Sequence, residues 1–438
     1  MSFGIGLSGM NAAKQDLEVV SNNIANSNTV GFKSSRSEFA DLYASSLGGG
    51  NSKPAGVKVA NTSQLFTQGN LTYTNSSLDL AINGSGFFVL NDNGQQAYTR
   101  AGYFSLDQAN YLVNNQGLKL QGFAADANGN ILTGTQQDLQ VSAADMQASA
   151  SSELIGQLNL DARDTVPVNS PFQASDPASY NSTMAFNIYD SQGNPHILSL
   201  YFGKSADNQW NVNFQFDGQP LPYGTNVDGA IVSAAVPGVP GVPAAPPAPA
   251  VPAVPAVPAV TGESSLTFNT DGTLNSGGNI SISSLGVGGV ADLQFDLDLS
   301  KITQLGTTFS VNQALQNGYP AGKLTGIEVD ESGALRALYS NGQTRVQGQM
   351  ILAGFANEGG LNPIGDSLWS NSFESGAPLY GLAGSGTLGS LQAGALEQSN
   401  VDLSIELVRL IEAQRNYQAN AKTIETSNNL TQTLLNII

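Results

Sequence analysis

The chain of 438 residues contains no cysteine and a single histidine, His196. This excludes disulfides, thiolate metal sites, Cys–His nucleophile pairs and multi-histidine zinc centres. Charged residues make up only 11% and aromatics 8%, while Gly, Asn, Ser and Thr are abundant. That balance belongs to a turn-rich extracellular β protein rather than to a cytosolic enzyme. The little charge present is mostly of one sign, 34 acidic against 16 basic residues for a formal net charge of −18. Such a surface repels phosphate backbones and anionic lipid, so neither nucleic acid nor membrane is expected as a partner. No run approaches the roughly 18 apolar residues of a membrane span, so no membrane insertion is expected. Lys14 and Asp16 interrupt the only N-terminal stretch resembling a leader, so no cleaved secretory signal is expected either.

Sites for chemistry are equally sparse. Gly4-Ile-Gly-Leu-Ser-Gly9 and Gly384-Ser-Gly-Thr-Leu-Gly389 fit the glycine spacing of a dinucleotide loop, but neither has the flanking strand and βαβ unit that binding requires. Both are expected to be flexible connectors. Asp126-Ala-Asn-Gly-Asn130 hints at a calcium loop, yet Ile131 and Gln137 stand where an EF-hand needs Gly and Glu. A turn is expected there. A carboxylate-only hydrolase needs a clustered acidic pair, and no such cluster stands out. The chain is therefore expected to be no enzyme, with no catalytic residue, metal or cofactor.

What is present is periodicity, and it changes along the chain. Residues 5–27 place Leu7, Met10, Leu17, Val20 and Ile24 at helical spacing. Residues 399–438 do the same with Leu403, Leu407, Leu410, Tyr417, Ala421, Ile424 and Leu435, close to a heptad. Stripes this narrow are seams for another helix, so the termini are expected to pair as a coiled coil and to serve assembly. Ser21, Asn22, Asn23 and Asn26 near the first stripe, and Gln414, Asn416, Gln418 and Asn420 near the second, suit a solvated face or amide hydrogen bonds between neighbouring helices.

From about residue 71 the period is two. Leu78, Leu80 and Ile82 alternate with Asp79 and Ala81, and Trp210, Val212, Phe214 and Phe216 alternate with Asn211, Asn213 and Gln215. Asn93-Gly94, Asn128-Gly129, Asp217-Gly218, Asp271-Gly272 and Asn341-Gly342 are hairpin turns by composition. The expected fold class is mixed but mainly β: two nested antiparallel β domains of sandwich or barrel type, plus the paired terminal helices. Residues 1–33 are expected as an assembly helix, 34–70 as a connector, and 71–145 with 300–360 as an inner β domain. Residues 146–299 form the outer β domain, 361–390 a Gly-rich connector, and 391–438 the C-terminal assembly helix. Within the outer domain, residues 236–260 repeat Pro every third position at Pro237, Pro240 and Pro243, then Pro252, Pro255 and Pro258. That spacing suits a polyproline II arm on the surface.

The terminal strings carry a resemblance. Leu7-Ser-Gly-Met-Asn-Ala-Ala, Ser21-Asn-Asn-Ile-Ala-Asn and Asn28-Thr-Val-Gly-Phe-Lys33 resemble the N-terminal signature of bacterial flagellar rod and hook proteins. Gly394-Ala-Leu-Glu-Gln-Ser-Asn-Val-Asp402 and Ala413-Gln-Arg-Asn-Tyr-Gln-Ala-Asn-Ala421 are similar to the C-terminal signature. By that resemblance Asn22, Asn23, Asn26, Gly31, Phe32, Asn400, Gln414, Arg415 and Asn416 are family-motif residues. Length and the inserted outer domain favour the hook over a distal rod component, which shares only the ends. An oligomeric adhesin would carry a leader and anchor. The resemblance implies a helical homopolymer outside the cell, at the flagellar hook and basal body. It further implies type III export and contacts with rod tip, hook cap and hook–filament junction proteins. Gly31, Gly48–Gly50 and Gly384–Gly389 are expected joints between rigid parts.

Overall fold

A computed structural model describes residues 2–44, 53–126, 128–221, 225–227, 230–231 and 263–435; the proline tract and Gly48–Gly50 lie outside the described residues. The described residues are mainly β, with two α-helices, α1 (Ser2–Ala25) and α2 (Leu403–Leu435). The chain divides into two compact units. One comprises Met1–Ala143, Leu324–Leu338 and Gln343–Ile438, the other Ala144–Lys323 and Tyr339–Gly342.

The first unit is built on a 12-stranded sheet that mixes its two halves. Thr344–Gly354, from late in the chain, pairs antiparallel with Lys119–Ala124 and with Phe87–Asp92. The unbroken apolar run Phe87-Phe-Val-Leu90 explains why this strand lies inside. Phe88 and Leu90 enter one core with Leu120, Leu335, Met350 and Leu352. Phe87 and Val89 enter another with Tyr98, Ile351, Leu361 and Trp369. A strand buried on both faces has no use for alternation. Asn93 and Gly94 both adopt positive φ, 49° and 99°, which joins Phe87–Asp92 to Gln95–Thr99 as a tight hairpin.

The second unit holds a 7-stranded and a 6-stranded sheet around one core. Met184, Phe186, Ile188, Leu198, Leu200, Phe202, Trp210, Val212, Phe214 and Phe216 come from one sheet. Leu154, Leu158, Leu160, Ile280, Ile282, Phe295 and Leu297 come from the other. Each such side chain contributes roughly 1.5–3 kcal/mol when fully buried.

Several expectations need correction. Residues 34–70 are not an irregular connector: β1 (Ser35–Ala44) and β2 (Lys53–Gln64) pair antiparallel as a hairpin with bulges. Its polar residues hid the strands, because the hairpin packs on α1 rather than into a sheet core. Residues 300–323, expected in the inner domain, belong to the second unit. There Thr303–Leu305 and Ser310–Gln316 flank Glu153–Asp161. That central strand runs parallel to Leu293–Asp298 and Thr303–Leu305, so this sheet is not wholly antiparallel. More than a hundred residues separate these partners, and no hairpin turn dictates their direction. Residues 361–390 contribute strands Asn362–Gly365, Leu368–Ser370 and Leu379–Leu382 to the sheet. In the Gly384–Gly389 stretch, Gly384 N donates to Gly389 O at 2.9 Å, so it is a closed turn and not a loose link. The C-terminal helix begins at Leu403, not 391, because Asp402 caps it: its Oδ1 accepts from Ser404 N and Ile405 N at 2.8 and 3.2 Å.

Candidate assembly interface

The terminal helices meet antiparallel, through small and polar residues. Gly6 lies beside Ile424 and Gly9 against Asn420, while at the other end Asn23 Nδ2 donates to Glu406 Oε2 at 3.2 Å. A Cβ at Gly9 would sit 2.4 Å from Asn420 Oδ1, so the Asn420 amide occupies the space that the missing side chain leaves. Ala13, Val20 and Asn23 are buried on α1, and Glu406 and Ala413 on α2. Leu410, Asn420, Ile424 and Ser427 are half-buried, and positions 406, 410, 413, 420, 424 and 427 keep a heptad register.

The expected apolar seam is therefore only partly on this face. Leu410 and Ile424 share it, and Tyr417 lies at its margin, 37% exposed. Leu403 and Leu407 are 45% and 49% exposed, and Leu7 is 39% exposed. Met10, Leu17, Ile24 and Ala421 are half-buried. Part of α1 lies against the β1–β2 hairpin: Ser8 Oγ accepts from Val57 N at 3.3 Å, and Gly56 lies close to Ile5 and Ser8. A search keyed to large apolar residues cannot see a Gly/Ala/Asn seam. What it found instead is an unfilled surface. Leu403, Leu407 and Ile411, four residues apart, form one exposed row on α2, with Ile405 and Val408 also exposed.

Beneath the helices the chain converges on a buried polar junction. The Glu397 carboxylate accepts from Lys33 Nζ (2.6 Å) and Gly69 N (2.9 Å) at Oε1, and from Arg100 Nη1 (3.2 Å) at Oε2. The Lys33 and Glu397 side chains are fully buried and that of Arg100 nearly so. Lys33 Nζ also donates to Thr67 O, and Arg100 Nη1 to Gly84 O, each at 2.8 Å. Burial pushes the Lys33 ammonium below its ordinary range, opposed by the Glu397 charge. Burial likewise raises Glu358, while Arg100 and Lys33 pull it back.

Asn23 and Asn400 complete the junction. Asn23 pairs with both backbone groups of Ser35, accepting from its N at 2.9 Å and donating to its O at 2.7 Å. Asn400 accepts from Ser34 N at 2.7 Å and donates to Leu65 O at 2.7 Å. Gly31, at φ 70°, donates to Glu397 O at 2.8 Å. Of the family-motif residues, Asn23, Gly31 and Asn400 thus meet here. Asn22, Asn26 and Phe32 line an open cleft of about 810 Å³ with Thr29, Tyr103 and Trp369. Gln414, Arg415 and Asn416 are exposed on α2. The sequence reading had no role for Lys33, Arg100, Glu397 or Glu406. Lys33 and Glu397 do lie inside the terminal signature strings, and each is a charge beside apolar neighbours, as in Phe32-Lys33 and Ala395-Leu-Glu397.

Comparison with known proteins covers most of the chain. Family profiles match at residues 3–33 (flagella basal body rod protein) and 81–156 (flagellar hook protein FlgE/F/G D1 domain). Two more match at 159–319 (flagellar basal body protein FlaE D2 domain) and 392–437 (flagellar basal body rod FlgEFG protein C-terminal). The flagellar hook protein FlgE of Salmonella typhimurium is 40% identical over the full length of both chains. The namesake protein of Escherichia coli is 39% identical, again over both full lengths. That of Borreliella burgdorferi is 32% identical over 99% of this chain and 98% of its own. Among solved structures, the Helicobacter pylori flagellar hook protein FlgE2 superposes with a TM-score of 0.50 at 14% identity, covering 75% of this chain and all of that one. This last likeness speaks for the fold alone.

Proposed function

The chain belongs to the flagellar hook protein FlgE family and is a structural subunit of the bacterial flagellar hook, and from this premise we propose how it builds the hook. The observation that carries the proposal is the exposed Leu403–Leu407–Ile411 row on a helix whose other face is already engaged by α1. With about half its surface still exposed, each leucine-sized side chain in the row gains roughly 1 kcal/mol on burial. A neighbouring subunit's terminal helices supply that burial, so α1 and α2 act as a short antiparallel coiled coil within the chain and as a stave between chains. Repeated with rotation and a rise along the axis, a contact between two different faces yields an open helical tube rather than a closed ring.

In this reading the helices line the tube and the β units lie outside it. Polar surfaces of the outer units slide on one another with little apolar exposure, which permits bending. The subunit lies outside the cell, having left by the flagellar export apparatus. It contacts the rod tip, hook cap and hook–filament junction proteins at the ends of the tube. Electron microscopy of sheared appendages, using antibody against this chain, tests the reading. Short curved tubes should label along their length, and label restricted to straight rods or to the cell wall would refute it.

A further inference from the structure

We infer that the buried Lys33–Glu397–Arg100 cluster is the torsionally stiff joint between the helix pair and the β sheet of the first unit, with Glu397 as its positioning residue. The inference rests on the hook reading, because only a tube that carries torque needs such a joint.

Both helices are rooted at this cluster. α1 ends at Ala25, eight residues before Lys33, and α2 begins at Leu403, six residues after Glu397. Two short backbone links on their own would swivel, since each residue offers two soft dihedrals. Here one carboxylate ties three segments together, from Lys33 at 2.6 Å, Gly69 N at 2.9 Å and Arg100 at 3.2 Å. Arg100 carries the connection into the sheet, with its guanidinium 5.2 Å from the Phe87 ring centroid and one N–H on Gly84 O. Lys33 carries it to the segment leading out of the hairpin, through Thr67 O.

Stability alone does not call for such a cluster. Apolar residues of equal volume hold a core at least as well, whereas a charge separated from its partner in a dry site is strongly unfavourable. The ions therefore contribute direction. Charge-assisted hydrogen bonds have preferred lengths and angles, and these side chains are closed to solvent. Apolar contacts are non-directional and slip. Two cations meet one hydrogen-bonded carboxylate, and Glu358 acts on both from further away. Neutralising Glu397 thus leaves two buried cations without their hydrogen-bonded counter-charge.

The test uses the full-length chain expressed in place of the native hook subunit. In the triple variant Lys33→Met/Arg100→Met/Glu397→Met the volume stays and the ions go. In Glu397→Asp the charge stays and the reach shortens. Three readouts are taken: Tm of the purified subunit, hook number by electron microscopy, and torsional compliance from the recoil of tethered cells after motor arrest. The triple variant is expected to keep a Tm near native and to form hooks, with compliance raised about twofold or more as directional bonds are lost. Glu397→Asp should form hooks of intermediate compliance. Native compliance in either variant overturns the inference. Loss of hooks in both at native Tm overturns it as well, since the cluster would then act in assembly and not in stiffness. Failure of the unmodified chain to form a torque-bearing tube would count against the hook reading instead.

Discussion

At the scale of single residues, Gly31 shows how a position expected to bend can be held fast. It was expected as a joint, and it does take the left-handed conformation, at φ 70°. But it is pinned: a Cβ there would lie 2.5 Å from Ala101 N. Gly31→Ala should therefore cost about 2–5 kcal/mol, from left-handed strain together with overpacking against backbone. Urea unfolding followed by Trp369 in the first unit would measure this; a loss below 1 kcal/mol would mean that the backbone relaxes freely. Asp161, in the second unit, makes a pH-dependent contribution. Two side-chain hydrogen bonds from Arg163, at 2.9 and 2.7 Å, hold its carboxyl down at about 2, against an ordinary 3.8. The folded value lies below the unfolded one, so this stabilisation is complete above pH 4 and fades as pH falls towards 2. Asp161→Asn should remove that contribution at pH 7 and flatten the acid limb by the same amount, a small one because Arg163 is exposed. Emission of Trp210 in a Trp369→Phe background reports it. An unchanged acid limb would show that other carboxylates govern it.

At the scale of elements, the helices were legible and their seam was not. Amphipathic spacing marked both termini as helical, and α1 and α2 are the two α-helices among the described residues. The spacing marked where large apolar side chains lie, but the intrachain contact uses Gly6, Gly9, Ala13 and Ala413, residues that a hydrophobic pattern cannot weigh. The junction was hidden for a different reason. Lys33 and Glu397 stand 364 positions apart in the chain, and no local rule pairs them. These two helix faces make separable predictions. Gly9→Leu should open the intrachain pair and lower the helix content of the subunit seen by circular dichroism. Leu407→Asp should leave the subunit's spectrum unchanged, because the side chain is half exposed, yet abolish polymerisation. A carboxylate buried at each subunit contact costs several kcal/mol, and the cost repeats along the tube. If Leu407→Asp polymerised normally, the exposed row would face solvent in the hook.

At the scale of the whole molecule, composition and turn spacing were enough to indicate a mainly β chain, and the terminal strings its family. The limits of its second unit were less legible. Residues 300–323 carry short, mostly polar strands, whose assignment depends on their partner Glu153–Asp161 rather than on any pattern of their own. The structure nonetheless gives the second unit a core whose buried members run from Leu154 to Ile302, with Ala150 and Phe309 packed against it. Among the described residues, that core takes no side chain from the helices or the first sheet. A fragment of residues 144–323 should therefore fold alone and unfold in one cooperative step, as single domains of this size do. Trp210, fully buried in its centre, reports the transition by fluorescence. The same fragment with residues 236–260 replaced by a short Gly/Ser link should keep its midpoint within a few degrees, about 1 kcal/mol for a domain this large. The reason is that every named core residue lies outside the tract, and proline cannot donate to a sheet ladder. A fragment without a cooperative transition would mean that the second unit depends on the rest of the chain. A large drop in midpoint confined to the shortened fragment would mean that the proline tract packs into the fold.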